Sequence, residues 1–187
     1  MLIEGFLVSA GVVALAEVGD KTQLLTLVLA ARFRRPWPIV LGIFAATLVN
    51  HALAGAFGAW ITAHLSPRTL RWALGLSFLA MAAWVLIPDR QDEVGDREAT
   101  SSLGVFASTV AAFFLAEMGD KTQIATVMLA ARFNPYAVVA GTTLGMLLAD
   151  APVAWFGDRL MRRVPVRVVH GLSALVFAVL GGIALLG

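Results

Sequence analysis

LAEVGDKTQLLT, residues Leu15–Thr26, returns one hundred positions later as LAEMGDKTQIAT, residues Leu115–Thr126. Both copies lie inside stretches apolar enough to cross a membrane. Each puts a glutamate, an aspartate and a lysine where a charge costs about 2.5–3.5 kcal/mol on insertion scales. A cost met twice in the same wording points to function, and ionisable residues within a span mark ion or proton pathways by default. The pattern reads as an ion-handling membrane protein built from two repeats.

The rest of the chain agrees. Of its 187 residues, 59% are hydrophobic and 14% charged, with a mean hydropathy of +0.84. A soluble domain carries roughly 25% charged residues, so the membrane class prevails before any motif is read. Cysteine is absent, which excludes disulfides, thiolate metal sites and cysteine nucleophiles. The N-terminus, MLIEGFLVSAG, has no basic n-region and carries Glu4, so it reads as a retained helix rather than a cleaved signal peptide. The arginines fall in short loops, where membrane topology explains the basic balance better than nucleic acid does.

Six apolar segments are expected, at about 3–31, 37–62, 69–88, 102–131, 135–160 and 165–186, each near the roughly 20 residues that span a bilayer. Proline and arginine punctuate them. The polar stretch PDRQDEVGDREATSS, 88–102, divides a first repeat, 1–88, from a second, 102–187, with 89–101 as linker. Its acids Asp89, Asp92, Glu93, Asp96 and Glu98 read as a solvated loop, interleaved with Arg90 and Arg97.

The halves match beyond the motif. Leu29–Phe33 recurs as Leu129–Phe133, Gly42 and Gly58 as Gly141 and Gly157, and Gly75-Leu76-Ser77 as Gly171-Leu172-Ser173. Three spans per repeat is an odd number, so the second must insert upside down, giving an all-α polytopic protein of two inverted three-helix repeats in one transmembrane domain. Loops 1–2, 3–4 and 5–6 carry nine arginines (Arg32, Arg34, Arg35, Arg90, Arg97, Arg159, Arg162, Arg163 and Arg167) against three opposite, Arg68, Arg71 and Arg132. That excess puts the linker in the cytoplasm and both termini in the periplasm of an inner membrane.

On an ideal helix, Glu17, Asp20 and Lys21 share an arc of about 100°, with Gln23 extending one edge and Thr22 pointing away. Glu117, Asp120, Lys121, Gln123 and Thr122 repeat the arrangement. Gly19 and Gly119 sit where unwinding would free backbone carbonyls and swing the threonines inward. Oxygen-rich sites of this kind suit Ca²⁺, Mn²⁺ or Mg²⁺. A network of lysines merely neutralising neighbouring acids leaves the charge unexplained: two motifs carry four carboxylates and two ammoniums, a formal −2. One divalent cation or two protons cancels it, which suggests an exchange cycle.

Other polar residues add less. Asn50 and Asp150 are supplementary ligand or proton-carrier candidates. His51, the counterpart of Asp150 when the glycines anchor the repeats, reads as a satisfied interior histidine. Glu4 and Asp158 lie near the membrane boundaries. Gly42, Gly55, Gly58, Gly141, Gly145 and Gly157 read as small residues for close helix packing. Phe33, Trp37, Trp60, Trp72 and Trp84 read as interface anchors or packing. No Walker loop, G-x-S-x-G elbow or H-E-x-x-H motif occurs, and an enzyme is not expected.

Two E-x-G-D-K-T motifs in a 3+3 chain resemble the cation/proton exchanger family of the human Golgi transmembrane protein 165. That family has yeast Golgi and chloroplast relatives and small bacterial manganese exporters of the MneA type. Both copies satisfy every position of its E-φ-G-D-(K/R)-(T/S) pattern, and the likeness covers essentially the whole chain. The resemblance implies export of Mn²⁺, or Ca²⁺ in some members, in exchange for protons. It makes Glu17, Asp20, Glu117 and Asp120 the expected metal ligands, with Lys21, Thr22, Gln23, Lys121, Thr122, Gln123, Asn50 and Asp150 in support. Asp150 stands where bacterial relatives are expected to carry asparagine. No resident cofactor is expected. The expected partners are the metal ion, protons, the bilayer and a homo-oligomer, without nucleic acid. The competing readings are Ca²⁺/H⁺ exchange, a small-solute exporter using the lysines, and a non-transporting membrane subunit held by buried ion pairs.

Overall fold

Most of the described helices start at or just after proline, serine, asparagine or aspartate, and a glycine follows the helix that ends at each motif glutamate. A computed structural model describes residues 2–84, 86, 101–157 and 166–186. The linker acids and arginines, Asp158 and the arginines at 159–163 lie outside the described residues. Proline opens α3 (Pro36–His64), α4 (Pro67–Trp84) and α7 (Pro135–Phe156), where its missing N–H costs nothing. Ser101 caps α5 (Ser102–Glu117) by accepting from the Gly104 N–H at 3.0 Å. Asn134 caps α7 through the N–H groups of Tyr136 and Ala137. The remaining helices are α1 (Leu2–Glu17), α2 (Lys21–Phe33), α6 (Lys121–Arg132) and α8 (Val166–Leu186). No strand occurs among the described residues.

The expected segments 3–31 and 102–131 are not continuous helices. Each breaks at its motif glycine, and the two pieces meet at bends of 68° for α1 and α2 and 71° for α5 and α6. Gly19 has φ +81° and Gly119 φ +74°, the left-handed region that glycine enters without penalty. Placing the motif on one ideal helical arc was therefore wrong. α3 and α7 are each long and apolar enough to cross a membrane, and each bent pair qualifies as a broken span. That makes two such helices among the described residues, or up to four spans when each bent pair is counted as one. α4 is 18 residues long and opens with Arg68 and Arg71, and the apolar run of α8 is shorter, Gly171–Leu186.

Glycines let the backbones approach closely, and they do so in matched pairs. A Cβ on Gly42 of α3 would stand 2.6 Å from Thr109 Cβ and 3.0 Å from the Phe106 carbonyl of α5. One on Gly141 of α7 would meet Ser9 Cβ at 3.0 Å and the Phe6 carbonyl of α1. Phe6 and Ser9 are the repeat counterparts of Phe106 and Thr109. Gly58 packs on Val127 and Ala130 of α6, and Gly157 on Leu27 of α2. α4 and α8 lie side by side through Gly75 and Gly181, with Phe78 and Phe177 ring centroids 6.3 Å apart.

The match stops where α4 and α8 dock. They bury Val12 and Ala16 of α1 and Ala125 and Met128 of α6 in one core cluster. A second cluster joins α2, α3, α5 and α7 through Leu29, Ile39, Ile43, Phe113 and Met146. The counterparts of the covered residues are less buried, Leu25, Ala112 and Ala116 partly exposed and Val28 more so. Met128 is 4% exposed but Val28 46%, and Leu115 on α5 is 69% exposed. Trp37, Trp60 and Trp72 are exposed, while Phe33 and Trp84 pack against the two clusters.

Candidate metal centre

Backbone chemistry at the two breaks sets the geometry of the centre. Asp20 is the N-cap of α2, and its Oδ1 accepts from the Lys21 N–H at 2.9 Å. Three residues on, Gln23 Oε1 reaches back to the Gly19 N–H at 2.8 Å, and Gln123 does the same for Gly119 at 2.7 Å. At the first break these make a variant of the capping box, with Asp20 as cap and Gln23 as the returning acceptor, whereas the Asp120 side chain makes no cap bond at the second. The two glutamines thus support the break itself through their side-chain carbonyls. An Asp-x-x-Gln string behind a glycine is a helix-start signal, and it was present in the sequence to be read.

The breaks bring the two motifs face to face. Glu17, Asp20 and Asp120 each offer an oxygen, and these oxygens lie within 4.8 Å of one another, all buried. The lysines cross between repeats. Lys21 Nζ lies 3.0 Å from Asp120 Oδ1, and Lys121 Nζ lies 3.6 Å from Asp20 Oδ1. Each lysine side chain thus reaches the other motif's aspartate. Thr22 donates to Glu17 Oε2, and Thr122 donates to Glu117 Oε2 at 2.9 Å. The bend turns the threonine hydroxyls inward.

Glu117 stands outside the three-carboxylate group. It is fully buried, and its Oε2 lies 3.9 Å from His51 Nε2. Asp150 is also fully buried and accepts from the Thr26 hydroxyl at 3.1 Å. Asn50 donates to the Phe114 carbonyl at 3.2 Å, tying α3 to α5. Gln23 Nε2 donates to the Ala149 carbonyl at 2.9 Å, tying α2 to α7.

The electrostatics favour a cation. Five buried carboxylates (Glu17, Asp20, Glu117, Asp120 and Asp150) face two lysines, a formal excess of three negative charges. Each carboxylate keeps one buried oxygen without a hydrogen-bond partner: Glu17 Oε1, Asp20 Oδ2, Glu117 Oε1, Asp120 Oδ2 and Asp150 Oδ2. Buried acceptors are rarely left unpaired in this number. An array of converging oxygens is the donor set of a hard divalent ion. Asp20 and Asp120 also sit at helix N-termini, whose partial positive charge offsets part of their cost.

The environments of the two motifs differ. The Lys121 side chain is 2% exposed and that of Lys21 19%. Met118 is 57% exposed at the second break, whereas its counterpart Val18 is only partly exposed.

Comparison with known proteins bears on what this centre is for. A family model described as "Divalent cation/proton antiporter GDT1" matches residues 5–93 and 105–187, one stretch in each half. A Vibrio cholerae protein named "Putative manganese exporter" is 49% identical over 172 residues, covering 91% of this chain and 84% of the relative. A GDT1-like protein of Synechocystis is 28% identical over 94% of both chains. The "Divalent cation/proton antiporter GDT1" of Saccharomyces cerevisiae is 23% identical, over 94% of this chain and 81% of its own. No solved structure matches the chain.

Proposed function

This chain belongs to the divalent cation/proton antiporter family of GDT1, and from that premise we propose that it exports Mn²⁺ from the cytoplasm in exchange for protons. The observation that carries the reading is the crossed pairing of the motifs. Three carboxylate oxygens drawn from both halves converge within 4.8 Å, and each lysine neutralises the other half's aspartate. A site divided in this way exists only while the halves are together. Opening on one side separates its donors, so binding is coupled to which side is open.

Glu17, Asp20, Glu117 and Asp120 are the metal ligands in this reading. Lys21 and Lys121 hold the aspartates, and Thr22 and Thr122 orient the glutamates. Metal and protons compete for the same oxygens, so the site is neutralised by one or the other and metal moves one way as protons move the other. The name of the Vibrio cholerae relative supports Mn²⁺ over Ca²⁺ as cargo. The halves act as an inverted repeat of three spans each, in the bacterial inner membrane with both termini periplasmic. The matched glycine contacts of α3 with α5 and of α7 with α1 support that arrangement. The less buried faces of α2 and α5 mark where α4 and α8 would dock in the opposite-facing state.

The test is uptake into proteoliposomes under an imposed proton gradient, comparing Mn²⁺, Ca²⁺, Mg²⁺ and Zn²⁺. Mn²⁺ flux should follow the gradient, collapse with a protonophore and vanish in Asp20→Asn and Asp120→Asn. Flux indifferent to the gradient would reject exchange in favour of a channel. Reporter fusions that put the C-terminus in the cytoplasm would reject the orientation.

A further inference from the structure

His51 is expected from sequence to be a satisfied interior residue, and it is not one. It is fully buried in the middle of α3, and neither Nδ1 nor Nε2 has a hydrogen-bond partner. Burying a polar group without a partner is expensive, and an imidazole has two such atoms. Its neighbour Asn50 is held by the Phe114 carbonyl. His51 instead directs Nε2 toward Glu117 Oε2 at 3.9 Å.

That separation is too long for a hydrogen bond. It suits two donors on one ion: metal–ligand bonds of about 2.0–2.2 Å set paired donors between about 2.9 and 4.3 Å apart, from a right angle to a straight line. Glu117 brings a second buried oxygen, Oε1, that is also unpartnered. The Asp120 N–H donates to the Glu117 backbone carbonyl at 3.1 Å, so the pair adjoins the three-carboxylate group. The position is also asymmetric between the halves. α3 begins at Pro36 and α7 at Pro135, and Gly42 matches Gly141, so the counterpart of His51 is Asp150. One half offers oxygen at this level and the other offers nitrogen.

We propose that His51 is a metal ligand that, with Glu117, forms a mixed nitrogen–oxygen subsite selecting Mn²⁺ over Ca²⁺ and Mg²⁺. The inference deepens the export reading and rests on it. Ca²⁺ and Mg²⁺ take oxygen ligands almost exclusively, whereas imidazole is a good ligand for transition metals. A cage of carboxylates alone separates the three ions only through size and coordination number. One nitrogen donor changes that ranking.

The experiment is electron spin-echo spectroscopy of Mn²⁺ bound to the purified full chain, together with Mn²⁺ and Ca²⁺ titrations. The native protein should show nitrogen modulation of the Mn²⁺ signal that shifts on ¹⁵N-histidine labelling. His51→Gln should abolish it, and the control His64→Gln should not. His51→Gln should lower Mn²⁺ affinity by at least about tenfold, a loss seen even for outer-shell partners, and leave Ca²⁺ affinity within about twofold, since Ca²⁺ gains little from nitrogen. His51→Asp, which copies the opposite half, should keep metal binding and shift preference toward Ca²⁺. Native protein that binds Mn²⁺ without nitrogen coupling overturns the assignment. So does an unchanged Mn²⁺-to-Ca²⁺ ratio in both variants. Nitrogen coupling in a protein that binds Mn²⁺ but never moves it against protons would sustain the ligand and refute export, so the two readings fail separately.

Discussion

Gly119→Ala isolates the part of the centre that depends on backbone alone. Gly119 has φ +74°, and a Cβ built on it meets nothing within 4 Å, so the substitution introduces no clash. The cost is conformational: a side chain in the left-handed region costs about 1–2 kcal/mol. Alanine also favours a continuous helix over glycine by about 1 kcal/mol. The two effects act in the same direction, toward straightening the 71° bend. Together they disfavour the broken state by about 2–3 kcal/mol, or about 30- to 150-fold in any equilibrium that requires it. Straightening would turn Thr122 away from Glu117 and remove Asp120 from the three-carboxylate group. Mn²⁺ affinity by titration calorimetry should fall within that range, while thermal stability in detergent falls little. Gly119→Asn should recover most of the affinity, because asparagine tolerates the left-handed region better than alanine does. Equal affinity in Gly119→Ala and the native protein would refute the claim that the break builds the site.

The two lysines should behave unequally despite their identical motifs. Lys121→Met leaves Asp20 without its deeply buried partner and should cost about 3–5 kcal/mol, whereas Lys21, being more exposed, should cost less; thermal unfolding of both variants gives the order. Metal must displace protons from shared carboxylates, so Mn²⁺ affinity should fall as pH drops, with protons released on binding between about pH 6 and 8. Weakly buffered protein mixed with Mn²⁺ measures this, and flat affinity with no release would contradict exchange. Gly145→Ala should destabilise by about 1–3 kcal/mol, since its Cβ would stand 2.6 Å from the Ala10 carbonyl of α1 and overpack the contact. Gly11→Ala, whose Cβ would meet nothing within 4 Å, should be neutral or mildly stabilising in the same unfolding assay.

Much of this protein is legible from local chemistry. Proline and glycine punctuation marked the helix limits to within a few residues, because missing N–H groups and free φ act on their own segment. The apolar runs called for membrane helices, and the doubled motif named the acids that converge. The break at Gly19 and Gly119 was visible as a place where unwinding would help. The arc drawn through it was wrong because a 3.6-residue period presumes an unbroken helix. The capping bonds of Gln23 and Gln123 follow only once the helix is known to start at residue 21 or 121.

By itself, the sequence determined the membrane class, the doubling, the buried charges and the family. It could not determine that Lys21 serves Asp120 and Lys121 serves Asp20, or that Glu117 leaves the carboxylate group for His51. Nor could it say why Lys121 is buried and Lys21 partly open. The two motifs are nearly the same string, so nothing within them can make one differ from the other. α4 and α8 pack on α1 and α6, and the counterpart residues on α5 and α2 are less buried. Packing between distant segments breaks a symmetry that the copied residues preserve, and only the tertiary structure records which way it broke.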